Sequence, residues 1–132
     1  MFIVSGCSSS DGDSAPTPIA QVLISNRTDG EITSVTGVSS IGTKEVFVIT
    51  STDVNNATPD ILEKAEVGVI EIAECDVLWE LSYSVSFPDN PSDNLIVVQE
   101  MQMYSCDTVS EVTCVTETFV FLGEPITLTQ CI

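Results

Sequence analysis

Val77-Leu78-Trp79-Glu80-Leu81-Ser82-Tyr83-Ser84-Val85-Ser86-Phe87 carries an apolar or aromatic residue at every odd position. After Leu78 every even position is Glu or Ser. Successive side chains of an extended chain point to opposite faces, so a period of two makes a strand with one face buried and one wet. Downstream, Pro88-Asp89-Asn90-Pro91-Ser92-Asp93-Asn94 reads as an exposed turn, and Leu95 to Tyr104 as the return strand of an antiparallel hairpin. Val112 to Leu122 follows, with Phe119 and Phe121 on one face. Gly123-Glu124-Pro125 breaks it, and Ile126 to Ile132 is the last strand.

Upstream the same logic applies. Val67 to Glu74 is strand-like, Ile19 to Ile24 is a short apolar first strand, and Glu31 to Val38 is rich in β-branched residues. Asn26-Arg27-Thr28-Asp29-Gly30 reads as a turn in which Asp-Gly tolerates positive φ, and it also spells a glycosylation sequon. Gly42-Thr43-Lys44 turns the chain into the strand Glu45 to Thr50. Thr58-Pro59-Asp60 has the chemistry of a helix start: a capping hydroxyl, a proline without N–H at the first helical position, and an acid at the positive end of the dipole. Ile61, Leu62 and Ala65 would form its apolar stripe and Gly68 its end.

This pattern predicts an all-β domain with one short helix. The architecture is an antiparallel β-sandwich, with a small meander β-barrel of lipocalin-like type as the rival, because consecutive hairpins run from Val67 to the end. No apolar run is long enough to cross a bilayer.

Twenty acidic residues stand against three basic ones, Arg27, Lys44 and Lys64, for a net charge of −17. Nucleic acid is excluded as a partner, since no basic stripe displaces counterions from phosphates. Histidine is absent. That removes the usual general base and zinc ligand, and with them any Ser-His-Asp or Cys-His pair. An enzyme is therefore not expected. The acids are scattered along the chain, as solubility requires.

Val4-Ser5-Gly6-Cys7, followed by Ser8-Ser9-Ser10-Asp11-Gly12-Asp13, resembles the end of a bacterial lipoprotein signal peptide. The resemblance implies a lipid on Cys7 and residence outside the cytoplasm, with the membrane reached only through that anchor. Ser8 after the Cys implies passage to the outer membrane or cell surface. No Lys or Arg precedes Cys7, so the resemblance implies a signal that begins upstream of Met1. Residues 1–6 then read as residual signal peptide, 7–18 as a tether and 19–132 as a single β domain.

With Cys7 lipidated, four cysteines remain, an even number for an oxidising compartment. The expected pairs are Cys106–Cys114, across a polar turn, and Cys75–Cys131, pinning the C-terminus. No cofactor is expected. A Ca²⁺ candidate is Asp53, Asn55 and Asp60, whose alternating oxygens imitate a Ca²⁺ loop. Asp89, Asn90, Asp93 and Asn94 form a second. Trp79, Tyr83 and Phe87 share a strand face and serve either as core or as the lining of a ligand cavity. The expected function is a non-catalytic cell-envelope domain with a binding or structural role, its protein or small-ligand partner unspecified. The rivals are a lipocalin-like carrier of an apolar ligand and a Ca²⁺-dependent adhesion or carbohydrate-binding module.

Overall fold

Alternation of apolar and polar residues builds two sheets packed face to face. The computed structural model describes residues 18–53 and 60–132. In chain order the strands are β1 (Ala20–Arg27), β2 (Glu31–Ser39), β3 (Lys44–Phe47), β4 (Thr50–Ser51), β5 (Val67–Ile72), β6 (Val77–Ser86), β7 (Leu95–Val98), β8 (Gln102–Tyr104), β9 (Val109–Phe121) and β10 (Glu124–Cys131). One 3₁₀ turn, Pro91–Asp93, lies between β6 and β7. The first sheet has the order β10-β9-β1-β5-β4, and the second β3-β2-β6-β7, with β8 also on β6.

The protein is an all-β sandwich with no closed barrel, so the barrel alternative is set aside. The meander expected from Val67 onward is interrupted twice. The chain leaves the first sheet after β5, builds β6 to β8 in the second, and returns for β9 and β10. There β9 runs parallel to β1, Gln21 beside Val109 through Arg27 beside Val115. A hairpin cannot make that neighbour; it takes a crossover between sheets.

The odd residues of β6 face the interior as read: Trp79, Leu81, Tyr83 and Val85 are buried, against Val22, Ile24, Ile70 and Ile72 of the other sheet among others. Trp79 meets Phe47 edge-on, with ring centroids 5.4 Å apart, and its indole N–H donates to the Glu74 carbonyl at 2.8 Å. Met101 and Met103, just before the buried Tyr104, are about half exposed.

Two expected strands are broken, for a physical reason in each case. Glu45 to Thr50 divides because the chain crosses between sheets there, burying Phe47 and Ile49. The return strand Leu95 to Tyr104 divides at Gln99, whose backbone N–H donates to Leu81 O while its side chain turns inward. The Tyr83 hydroxyl donates to Gln99 Oε1 at 2.7 Å, and the Tyr104 hydroxyl approaches the same oxygen at 3.4 Å. Burial raises the pKa of both phenols, and for Tyr83 the neighbouring Tyr104 adds to it; Tyr104 is pushed up to about 12.

These are the only two tyrosines of the chain. A raised folded-state pKa leaves the neutral-phenol contribution intact below the unfolded value of 10.0 and removes it as pH climbs through the folded value. Tyrosinate absorbance is therefore expected to rise only together with loss of the circular-dichroism signal. Half-ionisation near pH 10 in a protein with native circular dichroism would contradict this packing.

The expected helix after Asp60 does not form. Thr58 and Pro59 lie outside the described residues. From Asp60 to Glu66 the backbone bonds go elsewhere: Leu62 exchanges both N–H and C=O with Ile32, each at 2.9 Å, and the Ala65 N–H donates to Asn26 O. Ala65 has φ +71°, a left-handed conformation that ends any helical run. Burying Leu62 against the mouth of the sandwich outweighs a marginal two-turn helix.

Both expected disulfides are corrected. The bridges are Cys75–Cys106 and Cys114–Cys131. Cys114 lies inside β9, which begins at Val109, so extended chain carries it about 3.3 Å per residue away from Cys106. The β9–β10 turn instead sets Cys114 directly opposite Cys131, with Cα atoms 3.9 Å apart. Thr113 and Ile132 exchange both backbone bonds, so the next pair, Cys114 with Cys131, is a non-hydrogen-bonded one, where side chains stand closest. Cys75–Cys106 joins two of the crossovers that link the sheets, β5–β6 and β8–β9, with Cα atoms 5.1 Å apart. Non-reduced peptide mapping is expected to recover Cys75 with Cys106 and Cys114 with Cys131; a Cys106–Cys114 peptide would overturn this topology.

Candidate interaction site

Strand β1 accompanies β9 only as far as Val115. Beyond that point β9 and β10 continue without another strand beside β9, from Thr116 to Phe121 and back from Glu124 to Thr129. Six extended residues at about 3.3 Å each make an arm roughly 20 Å long. The turn at its tip is Leu122-Gly123, with φ +53° and +81°. A two-residue hairpin turn with both φ positive favours Asn-Gly, because left-handed backbone costs a branched L-residue about 1–2 kcal/mol. Leu122 occupies that position and is 88 % exposed.

The two faces of the arm differ. The face continuous with the core carries Cys114–Cys131, then Thr116 opposite Thr129, Thr118 opposite Thr127, and Val120 opposite Pro125. The threonine hydroxyls pair across the strands at 3.2 and 3.1 Å. Hydroxyls replace aliphatic side chains here, where Thr118 and Thr127 are exposed and Thr116 and Thr129 only half-buried. The other face carries Phe119 opposite Ile126 and Leu128 opposite Glu117. Phe119, Val120, Phe121, Leu122, Ile126 and Leu128 are all exposed. Nothing in the stability of the sandwich calls for them, and in water each is unfavourable.

At the base of the arm is a cleft of about 530 Å³. One wall is Thr116, Thr127 and Thr129 of the arm; the other is the β6–β7 loop, with Phe87, Pro88, Asp89, Asn90 and Asp93, and Leu95 at the start of β7, and Asp29 closes one side. Hydrogen bonds hold that loop: Phe87 N–H donates to Asn94 Oδ1 at 2.7 Å, and Asn90 N–H to Phe87 O at 2.9 Å. The Asp29 N–H reaches Thr116 Oγ1 at 3.4 Å, tying the β1–β2 turn to the arm. Three carboxylates thus line the cleft. Lys64 approaches one of them, Asp29, at 3.5 Å, with both side chains well exposed.

The arm points away from the start of the domain. Pro18 and Ile19 lie beside the Cys75–Cys106 bridge: Cys75 Sγ is 3.7 Å from Pro18 O, and Asp107 N–H donates to Ile19 O. Strands β1 and β9 both run away from that end, and the arm tip is at the other.

The sequence-predicted sites fare differently. Cys7 and Asn55 lie outside the described residues. Asp53 and Asp60 are exposed on either side of 54–59. Among the described residues, no three His, Cys, Asp or Glu side chains come together to hold a metal ion. Trp79 and Tyr83 are wholly buried and pack the interior that a carrier would need empty, whereas Phe87 reaches the cleft wall. Asp89, Asn90 and Asp93 also line the cleft. The arm itself was missed in the reading of the sequence, although its signal was present: Thr116 and Thr118 keep phase with the core-facing Cys114, so the core ends before the strand does. No protein-family model, curated protein or solved structure matches the chain.

Proposed function

We propose that this protein is a non-catalytic domain of the bacterial envelope, held to the outer membrane or cell surface by a lipid on Cys7, and that it binds a partner through the β9–β10 arm. The observation that carries this reading is the arm: an apolar tip with a left-handed, exposed Leu122, at the end of the sandwich opposite Pro18. A tether entering at Pro18 would leave the membrane on one side of the domain and present the arm on the other. The two disulfides fit an oxidising compartment. The absence of histidine and the scattering of the acids support a role in binding over one in catalysis.

Two measurements in the native host test the two halves of the reading. Radiolabelled palmitate is expected in the protein and not in Cys7→Ser, which should leave the membrane fraction; an unmodified Cys7 thiol overturns the anchor. A photo-crosslinking residue at Leu122 is expected to give one discrete adduct on intact cells, and the same residue at Val46, on the opposite sheet, none. No adduct from Leu122 overturns the binding role.

A further inference from the structure

We infer that the cleft and the inner face of the arm form one two-part docking surface, and that its occupant is a protein segment placing a Lys or Arg side chain in the cleft and an apolar side chain against Val120 and Pro125. This rests on the binding role proposed above and names the chemistry of the partner.

Charge decides the first part. Asp29, Asp89 and Asp93 surround a cleft on a domain of net charge −17, and Lys64 touches only Asp29. An anion is repelled at every distance, while a cation is drawn in by the local carboxylates and by the field of the whole domain. The walls fit a cation on an apolar stem. Phe87, Pro88 and Leu95 offer surface to methylene groups, and Thr116, Thr127 and Thr129 offer hydroxyl oxygens to N–H donors. A volume of about 530 Å³ lies within the usual range for ligand sites and admits one long side chain with its backbone.

Register decides the second part. On the same arm face, Thr118 stands opposite Thr127 at the outer end of the cleft, and Val120 and Pro125 lie beyond them. Val120 is four residues from Thr116, about 13 Å along an extended strand. Val120 is 72 % exposed. A bound segment running outward from the cleft therefore meets a cation site, a hydroxyl pair, and then an apolar patch.

The alternative occupants fit less well. Backbone bonding alternates along β9–β10 from the hydrogen-bonded pair Thr113 and Ile132, so the N–H groups of Thr127 and Thr129 face the open edge of β10. Pro125 falls in the same set and has no N–H to give, which blunts strand addition by a second copy. A second copy would also bring another −17 charges. An anionic lipid surface is repelled by the same acids.

The test is an NMR titration of the disulfide-bonded protein. The probe is a capped pentapeptide with lysine and phenylalanine at its ends and glycine and serine between. A second peptide has glutamate for the lysine, and spermidine serves as a free amine. The lysine peptide is expected to shift the amides of Leu95, Thr116, Thr127, Thr129 and Val120, and added salt to weaken it. Asp89→Asn with Asp93→Asn, both exposed changes, is expected to weaken the peptide and spermidine about tenfold with unchanged melting, as loss of charge-assisted contacts requires. Val120→Ser is expected to weaken the peptide and leave spermidine unaffected. Equal binding of the glutamate peptide, shifts spread over other acidic surfaces, or a concentration-dependent dimer built on the arm would each overturn the inference. If Leu122 still crosslinks in cells while the lysine peptide fails, the partner's chemistry is wrong and the binding role stands; loss of the Leu122 adduct removes both.

Discussion

Asn26→Ala is expected to lower the unfolding free energy by about 3–4 kcal/mol, because it removes four buried hydrogen bonds at once and orphans the Thr28 N–H. Asn26 is wholly buried at the end of β1. Its amide nitrogen donates to Gly30 O and Leu62 O, each at 2.9 Å. Its Oδ1 accepts from the Thr28 N–H at 3.0 Å and the Thr28 hydroxyl at 2.6 Å. One side chain thus closes the β1–β2 turn and holds the segment around Leu62, where the expected helix would have stood. Gly30 O keeps the Thr28 hydroxyl at 3.3 Å and Leu62 O keeps the Ile32 N–H at 2.9 Å, so the group left without a partner is the Thr28 N–H. Urea unfolding followed by circular dichroism gives the number; a loss under about 1 kcal/mol, the size of one exposed hydrogen bond, would refute the network. Asn26→Asp should be worse, since it replaces both donors with acceptors and adds a buried charge. The sequon Asn26-Arg27-Thr28 is incompatible with glycosylation in the folded state, because its amide nitrogen already gives both hydrogens to the protein.

Trp79→Ala is expected to cost about 3–5 kcal/mol, the range for emptying a buried aromatic site. The more informative result is its coupling to Gly37. A Cβ on Gly37 would come within 2.8 Å of Phe47, 2.9 Å of Trp79 and 3.0 Å of Leu81 side-chain atoms. Gly37 is therefore there to admit the two rings, and no positive φ is involved. Gly37→Ala alone should cost about 1–3 kcal/mol through overpacking. In Trp79→Ala one of these contacts is gone and the Phe47 and Leu81 side chains gain room to move aside, so adding Gly37→Ala should cost less than it does alone and the double variant should be more stable than the sum predicts. Strict additivity would mean that the two residues do not share the site.

Gly30 shows the same distinction between close approach and backbone freedom. In the sequence the Asp29-Gly30 turn tolerates a positive φ, yet Gly30 does not adopt one. A Cβ there would collide with the Ser86 carbonyl oxygen and press on the Phe87 ring. Gly123 is the opposite case, with φ +81° and nothing within 4 Å. Local sequence marks both as turns without telling them apart, because the Gly30 constraint comes from a strand more than fifty residues away.

The sequence by itself determined the strands, the faces they bury and the all-β class. Period-two alternation at Trp79, Leu81, Tyr83 and Val85 is a local property that any sheet must satisfy. It also held the information for the arm and for Cys114–Cys131: these cysteines are equidistant from Leu122-Gly123, and a two-residue turn fixes register along the whole hairpin. Only the tertiary structure decided which sheet each strand joined. Crossing loops at Cys75 and Cys106, the parallel placement of β9 beside β1 and the capture of Leu62 by Ile32 rest on contacts between distant segments, whose energies exceed the small local preferences that pointed to a meander and a helix. The cleft was decided there too, since Asp29, Asp89, Asp93 and the arm threonines come from turns and strands that no spacing in the chain relates.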